Sequence, residues 1–131
     1  MIDTEIIDQL TTEIGIISLT KDKLITFVPH PGITSVTLKP MAENMVKFLE
    51  WTKDEKLPFL TDNRQIKVIE PETRLFVQKN LPTFCSRHAI ILENGLSYFM
   101  FNIFMYLNRP SIPVKAFKNK EEALIWLKMK A

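Results

Sequence analysis

Cys85 and His88 stand three residues apart, close enough for an imidazole to serve as base to a thiol nucleophile. Such a pair also needs a third group to orient the ring and a glycine-rich loop to hold an oxyanion. The chain has only 3 glycines, and none lies near the pair, so both residues read as structural and no catalytic residue is expected. Thr61-Asp62-Asn63 follows an apolar run, at the strand end where open α/β sheets bind ligands. Asp62 could serve there as a phosphoacceptor or a polar anchor. A phosphoacceptor of the receiver type needs an acidic pair after the first strand to hold magnesium, and Ser18-Leu19-Thr20 supplies none. An Asx turn or cap shared with Asn63 is the favoured reading; Thr61, Asp62 and Asn63 stay as candidates for a ligand loop.

Metal and cofactor chemistry find little support. One cysteine rules out an intramolecular disulfide and a cysteine-based zinc cluster, and His30 and His88 are the only histidines. Gly95 beside Asn94 is a weak phosphate-loop signal, and three glycines cannot build either nucleotide fingerprint. No metal and no cofactor are expected.

Composition narrows the rest. A chain of 131 residues is one domain by length, here 1–131, and can bury a core without staples. Apolar content of 46% and charged content of 24% are ordinary for a water-soluble fold. Net charge is +2, and the lysines near the C-terminus are interrupted by Glu121 and Glu122, so no nucleic-acid partner is expected. Met-Ile-Asp-Thr-Glu lacks the basic start of a signal peptide, and the most apolar run, 95–107, is too short to span a bilayer. The expected location is the cytoplasm.

These residues need a scaffold, and its clearest part is the last third. His88–Leu92 reads as a strand, Leu96–Leu107 as a helix, Ile112–Phe117 as a strand, and the segment from Asn119 to Lys130 as an amphipathic helix. A crossover of this kind between parallel strands is right-handed and lays its helix across the sheet. Asn119 with Glu122 three residues on makes a capping box, and Ala123, Leu124, Trp126 and Leu127 form the buried face. Lys128 and Lys130 suit the negative end of that helix dipole.

Upstream, Ile14–Leu19 and Leu24–Val28 form a hairpin around Thr20–Lys23, while Glu5–Leu10 is either a short strand or an irregular lead-in. Thr37 caps a helix whose buried stripe is Leu38, Met41, Met45, Phe48 and Leu49, with Glu43, Asn44, Lys47 and Glu50 between them. Trp51 closes the stripe as a lid. Leu57–Thr61 is a strand, and 65–70 is ambiguous. Pro71 opens a helix with Leu75 and Phe76 on its buried side, and Pro82 stops it. The order is β-β-α-β-α-β-α-β-α: an α/β fold with a mixed sheet of about five strands and about four helices.

That order, with the ending Pro113-Val-Lys-Ala-Phe117 and then Glu121-Glu-Ala-Leu-Ile-Trp-Leu127, resembles the STAS-like (SpoIIAA-like) domains, and the small bacterial stand-alone proteins among them. Phe104, Leu107, Asn108, Pro110 and Pro113 fit the same pattern, and the resemblance runs from about Ile14 to Leu127. It implies a non-catalytic regulatory or protein-interaction module. Some relatives switch by phosphorylation of a serine in an Asp-Ser pair after the third strand. Here the loop reads Thr61-Asp62-Asn63-Arg64-Gln65, without a serine, so that switch is not expected.

The segment 96–107 is apolar on most sides. Phe99, Met100, Ile103 and Leu107 form a stripe fit to cover the sheet; Tyr98, Phe101 and Met105 form a second. The second stripe calls for burial within the chain, a homodimer or other protein partner, or a small apolar ligand. The leading expectation is a partner-binding module; the alternative is a carrier or sensor of a lipid-like molecule.

Overall fold

The computed structural model describes residues 3–129. The chain opens with three antiparallel strands, β1 (Ile6–Thr11), β2 (Gly15–Thr20) and β3 (Ile25–Pro29). A short β4 (Ser35–Val36) leads into α1 (Leu38–Trp51), then β5 (Leu57–Asp62), a short β6 (Val68–Ile69) and α2 (Pro71–Phe84). The chain finishes with β7 (Cys85–Ile91), α3 (Gly95–Leu107), β8 (Val114–Phe117) and α4 (Lys120–Lys128). Six strands make one mixed sheet in the order β1-β2-β3-β5-β7-β8, parallel from β3 onward; β4 and β6 pair separately.

Helices cover both faces of the sheet, and strand alternation assigns residues to each. Leu57 and Phe59 of β5 join Phe27, Met45, Phe48, Leu81 and Phe84 in a core beneath α1 and α2. Leu60, Ala89, Ile91 and Phe117 point the other way and pack on Ala123 and Leu127 of α4. Three rings, Phe48, Phe59 and Phe84, meet with centroids 4.6–5.5 Å apart and lock α1 and α2 to β5.

The lead-in is a strand after all: β1 pairs with β2 at the sheet's edge, and Trp51 donates its indole N–H to Asp8 across 2.9 Å. Gly15 in β2 is set by close approach, since a Cβ there would lie 2.5 Å from the Val28 carbonyl oxygen. The ambiguous 65–70 segment holds β6, too short to show a period in sequence.

Two expectations about α2 need correction. The helix continues past Pro82 to Phe84, because burying Leu81 and Phe84 outweighs the one backbone bond proline removes. Leu75 is exposed, while Thr73 is buried in its place. On α4, Asn119 accepts from the Glu122 N–H at 2.9 Å, as the capping pattern requires. Leu127 is buried, but Trp126 is half-buried, sandwiched between Phe117 and the Arg87 guanidinium. Lys130 lies outside the described residues.

Candidate functional site

The helix α3 departs most from expectation. It buries none of its residues. Phe99, Met100, Ile103 and Leu107 are exposed, so the stripe expected to cover the sheet faces largely outward. Phe101, Phe104, Met105 and Ser97 form the inward side, and Leu96 and Met100, though largely exposed, also border the space beneath the helix. The reason is physical: a helix apolar all round has no preferred phase in its sequence pattern, and packing chose the other one. Tyr98 sits between the two faces, half-buried, with burial and the nearby Glu122 pushing its phenol up.

Beneath α3 lies a cavity of about 690 Å³, walled by the sheet on one side and by α1 and α2 on the others. Its lining is mostly apolar: Met41, Met45 and Phe48 from α1, Phe59 from β5, Leu81 from α2, and the inward side of α3. Ligand sites of roughly 300–1,000 Å³ are usually built this way, with a few placed polar groups.

Those polar groups come from three elements. Thr61, next to last in β5, is buried with its hydroxyl 3.2 Å from Nε2 of His88 on β7. His88 stacks on Phe59 with ring centroids 4.8 Å apart, and burial pushes its pKa down to about 3. It is therefore neutral at neutral pH. The third is Asn44, which lies at 1% exposure in the middle of the inward face of α1. Neither atom of its side-chain amide has a hydrogen-bond partner among the described residues. Leaving such a group unpaired costs about 1–3 kcal/mol. Sequence reading placed Asn44 among the polar residues, yet it stands three residues after Met41 and four before Phe48. That spacing was the signal.

The loop candidates divide. Thr61 and Asn63 line the cavity. Asp62 is engaged elsewhere: Nε and Nη2 of Arg64 donate to its two oxygens at 2.9 and 2.6 Å, and the Arg64 backbone N–H adds a third bond at 3.2 Å. These bonds hold the carboxyl below its ordinary range. This is the Asx-type turn with an ion pair added. Asn94 likewise caps α3, accepting from the Ser97 N–H at 3.0 Å.

Cys85 and His88 do not form a nucleophile pair. The thiol donates to the Arg87 carbonyl at 3.0 Å, and burial pushes it up to about 12. A protonated thiol beside a neutral imidazole lacks the thiolate that attack requires. No three His, Cys, Asp or Glu side chains among the described residues gather as a metal site would need.

A mixed sheet that begins with an antiparallel hairpin, continues parallel and carries helices on both faces defines a SpoIIAA-like α/β domain. An uncharacterised protein of the DUF3478 family from Shewanella loihica PV-4, described as having that fold, superposes with a TM-score of 0.66 at 18% identity, over 92% of this chain and 99% of its own. A protein of unknown function from Arthrobacter sp. FB24 aligns over 92% of this chain and 98% of its own at 20% identity, with a TM-score of only 0.30. No curated protein matches the sequence. The chain belongs to the family described as "Domain of unknown function (DUF7793)", whose model matches residues 17–130.

Proposed function

We propose that this protein is a non-catalytic cytoplasmic carrier or sensor of a small apolar molecule, held between the sheet and α3. One observation carries the reading: an apolar cavity of about 690 Å³ roofed by a helix that buries none of its own residues. The space is partly open to solvent, and apolar clefts of this size are where small molecules bind. The absence of charge over the whole of α3 suits a roof that can swing without breaking ion pairs. Support for a non-catalytic role comes from His88, whose pKa burial lowers to about 3, far from the range in which an imidazole exchanges protons effectively at neutral pH.

The test uses protein purified from its own host without denaturation and weighed intact by native mass spectrometry. A bound mass that organic solvent releases is expected, and Met45→Trp, which fills the cavity, should lack it. A parent that carries no such mass and also fails to take up added 1-decanol would count against the reading.

A second reading, contact with a protein partner or a second copy, is favoured by the outer face of α3. Phe99, Ile103, Tyr106 and Leu107 leave on the order of several hundred Å² of apolar surface in water, as interaction sites do. A two-fold arrangement would cover that face on both subunits at once. Sedimentation velocity decides: a dimer split by Phe99→Glu supports it, and a parent monomeric at high micromolar concentration counts against it.

A further inference from the structure

Of the charged side chains that border the cavity, three are cations, Arg64, Lys67 and Arg74, and one, Glu93, is an acid. All four are exposed, so they stand at its mouth. The loops after β5 and β7 that carry Arg64, Lys67 and Glu93 lie at the C-terminal edge of the sheet, where open α/β sheets take ligands. Arg64 is already satisfied, with two donors on Asp62 and with Glu93 close enough to act on it. Lys67 and Arg74 differ: neither has a carboxylate partner among the described residues.

Both cations are held in place. Lys67 leaves a loop pinned by Gln65, whose amide donates to the carbonyls of His30 and Ile33 at 2.7 Å each. Its own backbone N–H donates to the Thr34 carbonyl at 2.7 Å. Arg74, near the start of α2, donates one N–H to the Ile69 carbonyl at 3.0 Å and lies over the Phe104 ring of α3 at 5.4 Å. The guanidinium thus bridges α2 and α3, and its other N–H donors are unengaged among the described residues.

Position decides which head group this arrangement suits. Deep in the cavity an ionised group would lose its hydration without a counter-charge. At the mouth it keeps part of that hydration and meets two unpaired cations beside low-dielectric walls, which strengthen the attraction. A neutral head gains nothing from them, and a cationic head is repelled. We infer that the cavity takes an amphiphile with an anionic head, its apolar body under α3 against Phe101, Phe104 and Met105 and its head at Lys67 and Arg74. This rests on the cavity reading above and names the class of ligand.

Isothermal titration of the full chain at neutral pH and low salt tests it, with decanoate, 1-decanol and decyltrimethylammonium as probes that share one chain length and differ in head charge. The parent should bind decanoate about fivefold or more tightly than 1-decanol, the margin that two exposed ion pairs supply, and decyltrimethylammonium least tightly. The double variant Lys67→Gln, Arg74→Gln should bind decanoate no more tightly than 1-decanol. If it does not fold, Lys67→Gln alone, which changes an exposed side chain, should cut the preference about twofold. Equal affinity of the parent for decanoate and 1-decanol would overturn the anionic head and leave the apolar cavity standing. A preference for decanoate undiminished in a folded variant would overturn the role of Lys67 and Arg74. No binding of any probe by the folded parent would sink the cavity reading along with it.

Discussion

Asn44 and His88 are among the polar side chains buried in the fold, Asn44 without a hydrogen-bond partner among the described residues and His88 held neutral. His88 has a folded pKa of about 3 against an ordinary 6.5. Between those values the unfolded chain holds one more proton than the folded one, so stability rises with pH across that window. The contribution is fully present above about pH 6.5 and is lost as pH falls toward 3, a change of up to several kcal/mol. Urea unfolding at stepped pH should therefore show a steeper acid loss for the parent than for His88→Gln. Parallel curves would mean that His88 is not buried neutral. Gly15 offers a sharper steric test. Gly15→Ala drives a methyl against the backbone of β3, and equilibrium unfolding should register a loss of roughly 1–3 kcal/mol. At this scale the sequence was only partly legible. The turn at Asp62 and the cap at Asn119 follow from local chemistry, and local chemistry survives folding; the cap at Asn94 was not read from the sequence. Asn44 was missed because residue type was weighed over helical spacing, and the partnership of Thr61 with His88 spans 27 positions that no local pattern connects.

Among the elements, legibility followed amphipathicity. α4 shows its core side plainly, because Glu121, Glu122 and Lys128 leave one face for Ala123 and Leu127. The first half of the sheet was readable for a similar reason, as its strands are rich in isoleucine and bounded by polar turns. α3 has no charged residue to set its phase, so the inward side could not be chosen from sequence. Two substitutions check the phase now assigned. Phe104→Glu puts a carboxylate into the apolar cavity and should lower the melting temperature by several degrees or more, whereas Phe99→Glu, on the outer face, should change stability by only about 0.5 kcal/mol. The reverse ranking would put α3 back in the orientation its sequence first suggested. On α4, Leu127→Ala should cost about 2–5 kcal/mol, and Trp126→Ala less than the roughly 3–5 typical of a core aromatic, since the indole is only half-buried. Chemical denaturation of the two variants side by side gives the ranking.

For the whole molecule, the two faces of the sheet have been put to different uses. The α4 face is closed by small and aliphatic residues, Ala89, Ala123, Ile91 and Leu127, and supplies a tightly packed support. On the opposite face, α1 and α2 reach the sheet through Phe48 and Phe84, but α3 stands off it and leaves the cavity between. The account stands or falls on whether that space takes up an apolar molecule. Methionine methyl groups report on it directly, because Met41, Met45 and Met105 line the cavity with Met100 at its edge, while Met129 lies exposed at the end of α4. With the methyls carbon-13 labelled, titration with 1-decanol should shift the Met41, Met45 and Met105 resonances saturably and leave Met129 in place. Shifts absent from all four, or equal across them, would contradict the account.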